Sequence, residues 1–583
     1  MNGLIDSGSS ATQAQRTAAP LVIGVTSHRN IPARDETATR QRIRDFIAAL
    51  RREFPALPIV MLSPLAEGGD QWAAEEALAA GARLIAPLPM ARAQYANDFA
   101  GAARERFDRL CAAAEIIEVP DVAGASGART AVPVGQERDL LYAQAGVYVS
   151  EHCHILLAIW DGKPSGRLGG TAQIVQYHVA GTRPSLTDRR RSAPRGVLGT
   201  DSERLAYHIV CSREQVDGAP AAPLQALQTW WRTGSHASPG DGPMPDEFHT
   251  AFAHAAEFDL DWAKYSARIA EHSGLTHDAR DPAPASAIDA IYRAADWLAI
   301  HFQRRVLLAM RSLYTLAALM GIAFTVYDNL PAQDNMLYVF LLLFALGGFV
   351  VGLANRRGWH RKYLDYRALA EGLRVQSYWQ RAGLSLTGDG EFARDNFLQK
   401  QDVELGWVRN VMRGIELEDA VQGQPKSPEA LAGVIREWVG DSRHKGQLDY
   451  YQRKAEQRAR THGITETIGM ASLCVGIGIS IVLAVFAREL SSDAKNILVV
   501  VMAVFSIVAG VRAAYAYKKA DKELIKQYRY MQRIFGEARQ ALDQTADAGE
   551  QREILRMLGE AALAEQAEWA LMQRQRPLEH NRI

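Results

Sequence analysis

The sequence predicts two architectures in one chain: an α/β open parallel sheet at the amino terminus, then an all-α membrane region with four transmembrane helices in two hairpins and cytoplasmic helices. Three observations carry this. Short apolar runs alternate with amphipathic segments between residues 21 and 180, four longer apolar runs follow in two closely spaced pairs, and 583 residues exceed what one core accommodates.

Residues 1–19, rich in Ser, Ala, Gln and Thr, have no apolar run of signal-peptide length and read as a disordered leader. Leu21–Val25 is a short buried strand entering a turn, and a helix over Thr37–Phe54 follows it. Strand Ile59–Leu62, helix Asp70–Ala80 and strand Arg83–Pro87 repeat the alternation, and after further helices His154–Trp160 is another strand. Such alternation implies right-handed βαβ crossovers and a parallel sheet. Ala206–Cys211 predicts a further strand, Thr182–Arg195 a basic loop and Ser235–Pro245 a Gly/Pro linker, with helices Phe248–Ala270 and Ser286–His301 leading on to the membrane.

The long apolar runs are Val306–Tyr327, Met336–Ala354, Thr467–Phe486 and Ile497–Val511. Each is near the roughly 20 residues that cross a hydrocarbon core. Short polar links, 328–335 and 487–496, make each pair an antiparallel hairpin. Arg304, Arg305 and Arg311 precede the first hairpin, and Arg356, Arg357, Arg361 and Lys362 follow it. Lys454, Arg458 and Arg460 precede the second, with Arg512, Lys518 and Lys519 after it, so the positive-inside rule places both termini in the cytoplasm and both turns outside, as in an inner-membrane protein. Charged helices follow each hairpin, over Tyr363–Trp379, Lys522–Leu542 and Ile554–Met572. The boundaries read as a leader to 19, a ligand-binding domain over 20–235, linker and coupling helices over 236–300, and hairpin modules over 301–420 and 421–583.

Composition narrows the partners. Lys plus Arg number 66 and Asp plus Glu 66, so no net basic field exists to condense on a nucleic-acid polymer. Cys111, Cys153, Cys211 and Cys474 are scattered without CxxC spacing, which argues against a disulfide framework or zinc knuckle. His152 and His154 alternate onto one strand face, but nothing is spaced to complete a metal site, so no metal is expected.

Ligands of open parallel sheets sit beyond the strand carboxyl ends, and three loops there carry suitable chemistry. The first is Gly24-Val25-Thr26-Ser27-His28-Arg29, where a glycine admits close backbone approach and Thr26, Ser27, His28 and Arg29 meet phosphate or ribose; the plainer reading is a capped strand end. The second ends in Glu67-Gly68-Gly69-Asp70 and opens a helix whose N–H groups face an anion, with Asp70 alternatively only the cap. The third is Trp160-Asp161-Gly162, followed by Gly169-Gly170-Thr171 at the start of helix Ala172–Ala180. Tyr142 and Gln144, on the approach to the same strand, either line the pocket or pack beneath it.

As a set, Gly-Val-Thr-Ser-His-Arg at 24–29, Leu-Ala-Glu-Gly-Gly-Asp at 65–70 and Gly-Gly-Thr at 169–171 resemble the SLOG superfamily, the Rossmann-like group that includes DNA-processing protein A and the LOG nucleotide phosphoribohydrolases. The resemblance implies a ligand of nucleotide type held through phosphate and ribose, as an activator and with no cofactor. LOG hydrolases carry acidic residues just after their glycine loop, whereas this chain has Thr171-Ala172-Gln173-Ile174, which offers no general base. Glu67 and Asp161 keep a membrane-anchored hydrolase open as an alternative. The hairpin followed by Tyr363-Leu364-Asp365-Tyr366-Arg367-Ala368-Leu369-Ala370-Glu371-Gly372-Leu373-Arg374 and Trp379 resembles the SLATT family of two-span effector modules, and Ala567-Glu568-Trp569 echoes it after the second hairpin. Together the resemblances imply a homo-oligomeric effector of bacterial antiphage defence that senses a nucleotide second messenger and compromises the membrane. A regulated channel or transporter is the remaining alternative, although no acidic residue stands in mid-span.

Overall fold

The computed structural model describes residues 19–119, 135–165, 168–180, 204–276, 286–331, 333–384, 397–398, 405–422, 428–440 and 444–576. The expected leader up to residue 18 and the loop Thr182–Arg195 lie outside them. The chain forms two compact units: residues 1–294, 372–380 and 385–425 make the first, and residues 295–371, 381–384 and 426–583 the second.

The first unit is built on eight strands: β1 (Leu21–Ser27), β2 (Ile59–Leu62), β3 (Arg83–Leu88), β4 (Glu115–Glu118), β5 (Ile155–Trp160), β6 (Leu205–Val210), β7 (Thr229–Arg232) and β8 (Ala237–Pro239). Their spatial order is β4-β3-β2-β1-β5-β6-β7-β8. The first six run parallel, and β7 and β8 extend one edge antiparallel. Central strands β2, β5 and β6 are apolar and buried at nearly every residue, as strands covered on both faces must be. The chain winds outward from β1 to β4, then returns to place β5 on the other side of β1, so the topological switch point falls between β1 and β5.

Helices α1 (Ala33–Glu53), α2 (Gly69–Ala79) and α3 (Gly101–Ala113) pack in sequence on one another. Phe46 of α1 stacks on Tyr207 of β6 with ring centroids 4.2 Å apart. Helices α4 (Gln136–His152) and α5 (Thr171–Ala180) pack together, followed by α6 (Asp246–Thr276). Three strands escape the sequence reading: β4, where only helices are expected, and β7 and β8, the latter inside the expected linker Ser235–Pro245. All three are three or four residues long and lie towards the sheet edges, where half-exposed positions blur the apolar pattern.

The second unit is wholly helical among its described residues. It contains α7 (Ala287–Asn329) from residue 295, α8 (Asn335–Arg356), most of α9 (Trp359–Arg381), α11 (Gln447–Val485), α12 (Ser492–Lys519), α13 (Asp521–Gln544) and α14 (Ala548–Arg574). Four helices are long and apolar enough to cross a membrane, in the regions expected from the sequence. Their apolar side chains face outward: Leu342, Phe344 and Phe349 of α8 are each more than 60% exposed. In water such a surface is untenable, and in hydrocarbon it is the required one. Approach helix and span are continuous in both hairpins, giving helices of 43 and 39 residues.

Helix α10 (Gly406–Gln422) belongs to the sheet unit although the sequence attaches it to the first hairpin module. Gly414 lies against Pro20 and Val22, where a Cβ would approach the Pro20 ring to 3.2 Å. Leu417 joins the buried cluster of Val22, Val60, Leu62 and Ile85. His154 links the pieces: its Nδ1 accepts from the Val22 amide (3.2 Å), and its Nε2 lies 2.8 Å from the Asn410 carbonyl. Burial pushes its pKa down to about 3, so the ring is a neutral staple.

Candidate functional site

The carboxyl ends of β1 and β5 and the amino ends of α2 and α5 converge at the switch point. Parallel pairing sets Ser27 beside Ile159, so His28 follows β1 beside Trp160, the last residue of β5, and the His28 amide donates to the Ile159 carbonyl at 3.0 Å. Thr171, at the start of α5, donates its hydroxyl to the Ser27 carbonyl at 2.7 Å. This bond ties the third loop directly to the first.

Glycine closes the second loop onto them. Gly68 has φ +93°, and a Cβ there would stand 2.7 Å from the Arg29 carbonyl oxygen. At Gly69 a Cβ would stand 2.8 Å from both Ser27 Cβ and Ile159 Cδ1. Only glycine lets α2 begin this close to β1 and β5. The amino end of α2, with Gly68, Gly69 and Asp70 buried, is thereby set against the carboxyl ends of β1 and β5, and its partial positive charge favours an anion there.

Charge within the crevice is balanced. Asp161 is 2% exposed; its Oδ1 accepts from the Lys163 amide at 3.0 Å and lies 3.1 Å from His28 Nε2. Arg213, after β6, approaches its Oδ2 at 4.0 Å and also donates to the Asn30 side chain. Burial lowers the His28 pKa while Asp161 raises it, and burial wins, so the imidazole is neutral at physiological pH. Asp70 is 3% exposed. Burial pushes its pKa up to about 7, against the Ser27 hydroxyl, Arg29 and the Ala66 and Ser27 amides, which favour the anion. At the rim Arg29 is exposed, with its guanidinium 5.2 Å from the Tyr142 ring centroid. Tyr142 and Arg138 both bond Asp98.

The expected residues thus separate into groups. Ser27, His28, Arg29, Gly68, Gly69, Asp70, Trp160, Asp161, Gly170 and Thr171 gather at the switch point. Thr26 is the half-buried residue before them, paired with Ala158. Gly24 lies deeper in β1, where a Cβ would meet Val149 and Cys153 of the α4 end at under 3 Å, so it serves helix–sheet packing. Glu67 is exposed. Gly169 has φ +71°, and its amide donates to the Gln173 side chain at 2.7 Å, which leaves it occupied. Trp160 donates its indole N–H to the Lys163 carbonyl and lies 5.3 Å from the His208 ring.

Sequence reasoning missed Asn30, Lys163 and Arg213. Arg213 stands just beyond the expected strand Ala206–Cys211, so a fourth strand-end loop was there to be read. Among the described residues, no group of three His, Cys, Asp or Glu side chains is arranged to hold a metal. A cavity of about 330 Å³ lies elsewhere, where β2 and β3 begin, lined by Phe54, Pro58, Gly81 and Arg83. It shares no residue with the switch-point loops.

No family model matches the chain, and a search of curated proteins finds no relative.

Proposed function

We propose that this protein is a membrane-embedded effector of bacterial antiphage immunity: the sheet unit senses a nucleotide second messenger, and the spanning helices then disrupt or permeabilise the inner membrane. The observation that carries this reading is the convergence of two strand ends and two helix amino ends at the switch point of a parallel sheet, in a chain that also has four helices long and apolar enough to span a membrane. Phosphate lies against the start of α2, and Arg29 meets it or the ribose from the rim. Helices α7 and α9 each contribute residues to both units, which gives the chain a covalent route from sensor to spans. A ligand shifts such an assembly by its preference for one state, about 1.4 kcal/mol for each tenfold bias. A symmetric homo-oligomer supplies the enclosure that two hairpins alone lack.

The test is a thermal-shift and calorimetric panel on the full-length protein in detergent, with cyclic dinucleotides, cyclic oligonucleotides and ADP-ribose derivatives as probes. One class is expected to raise the melting temperature by mass action, and Arg29→Ala or Gly170→Asp to abolish the shift while the protein still inserts in membranes. Unchanged affinity in both variants would reject the site.

The His28–Asp161 pair favours one second reading, a membrane-anchored nucleotide hydrolase. A neutral imidazole oriented by a buried carboxylate is a better general base than exposed Glu67. Turnover of a nucleoside phosphate that His28→Gln stops would establish it.

A further inference from the structure

We infer that the end of the helical unit from which α9 and α13 emerge is a binding surface for anionic phospholipid headgroups, contacted by Arg304, Arg311, Arg356, Arg357 and Arg512. The five share one zone along the helices. Tyr314 of α7 bonds the Ala514 carbonyl of α12 (3.3 Å) and lies edge-on to Tyr515 (5.6 Å), so the Arg311 and Arg512 turns are neighbours. Gln303 bonds Tyr363 at 3.0 Å, and Arg305 stands 5.4 Å from the Trp359 ring, so the Arg304 turn meets the α8–α9 junction that carries Arg356 and Arg357.

Counter-charge is missing from the helix stretches that carry these arginines. No Asp or Glu occurs between residues 297 and 327, 335 and 364, or 494 and 520. Among the described residues, none of the five arginine side chains forms an ion pair or hydrogen bond within the chain, and all are exposed except half-buried Arg512. Elsewhere in the same unit, arginines find carboxylates: Arg367 with Asp296 (2.8 Å), Arg458 with Asp521 (2.8 Å), Arg574 with Asp365 (2.7 Å) and Arg576 with Glu523 (3.0 Å).

The surroundings identify the missing partner. Leu308 (66% exposed) and Leu319 (45% exposed) bracket Arg311 on the same helix, so the cations border lipid-type surface. Tyr314, Tyr515 and Trp359 supply the aromatic belt of a membrane interface. Charges spread over α7, α8 and α12 suit an array of headgroup phosphates, whereas one free anion would need them converged on a point. Arginine suits the task because its fork binds phosphate bidentately.

This inference rests on the reading of the four helices as membrane spans. The test reconstitutes full-length protein in nanodiscs of phosphatidylcholine mixed with phosphatidylglycerol and measures the headgroup ratio of the lipid retained on extraction. Wild type is expected to retain phosphatidylglycerol above the bulk ratio. Joint Arg304→Gln, Arg311→Gln, Arg356→Gln, Arg357→Gln and Arg512→Gln substitution is expected to lower that preference by about fivefold or more. Millimolar inorganic phosphate should leave wild-type retention unchanged, and competition by it would overturn the inference in favour of a free-anion site. A wild-type ratio equal to the bulk overturns it as well and needs no variant, so a variant that fails to insert does not blunt the test. A protein that stays in solution without detergent fails the membrane reading itself, which is a separate outcome.

Discussion

Asp70 and Arg29 stand within the same crevice and are under opposite constraints. Asp70 is buried, with its pKa pushed up from 3.8 to about 7. Between those values the folded chain holds a proton that the unfolded chain has released, so this group's contribution to stability falls as pH rises through that window. Asp70→Asn is expected to remove the loss: denaturant midpoints of variant and wild type should lie close only below the unfolded value of 3.8 and separate progressively up to pH 8, with the variant more stable. A variant that tracks the wild-type pH curve would show that Asp70 titrates as an ordinary aspartate. Arg29 is exposed, with its guanidinium over the Tyr142 ring and within electrostatic reach of Asp98 and Asp70, so Arg29→Ala should cost about 1 kcal/mol or less in stability while removing nucleotide affinity. Gly69→Ala should do the reverse first, costing about 1–3 kcal/mol because its Cβ would meet Ser27 and Ile159. Comparing the two by chemical denaturation and calorimetry separates a ligand contact from a packing requirement.

At the level of elements, α10 is the unexpected member of the sheet unit. Its Leu417 fills the cluster around Val22 and Val60, and its Asn410 carbonyl faces His154 from 256 residues away in the chain. A fragment of residues 1–300 would leave that sheet face bare, so it is expected to aggregate or bind a hydrophobic dye. Full-length protein in detergent should do neither, and a monodisperse, cooperatively unfolding fragment would contradict the role given to α10. The same elements show what the sequence makes legible. β1, β2, β5 and β6 are visible because central parallel strands are continuous apolar runs, and the spans because hydrocarbon tolerates little else. The strand-end loops follow from those strands. Gly24 misleads because a glycine that admits α4 to β1 reads like one that admits a ligand. Arg213 and α10 escape because long-range packing leaves no periodic trace.

For the molecule as a whole, the pairing of a switch-point site with an outward-facing apolar surface defines the expected behaviour. The protein should sediment with membranes and resist high-salt extraction, since apolar burial rather than charge retains it. Release by salt alone would reduce the four helices to surface association. A nucleotide bound at the sheet must also change the state of the helices, because a ligand with equal affinity for both states shifts nothing. The most direct measurement is dye release from proteoliposomes of the full-length protein, challenged with the cyclic di- and oligonucleotides and ADP-ribose derivatives. The account predicts that the nucleotide which stabilises the wild-type protein also triggers release, and that Arg29→Ala abolishes both. Tight binding of that nucleotide at the switch point with liposomes remaining sealed would contradict it.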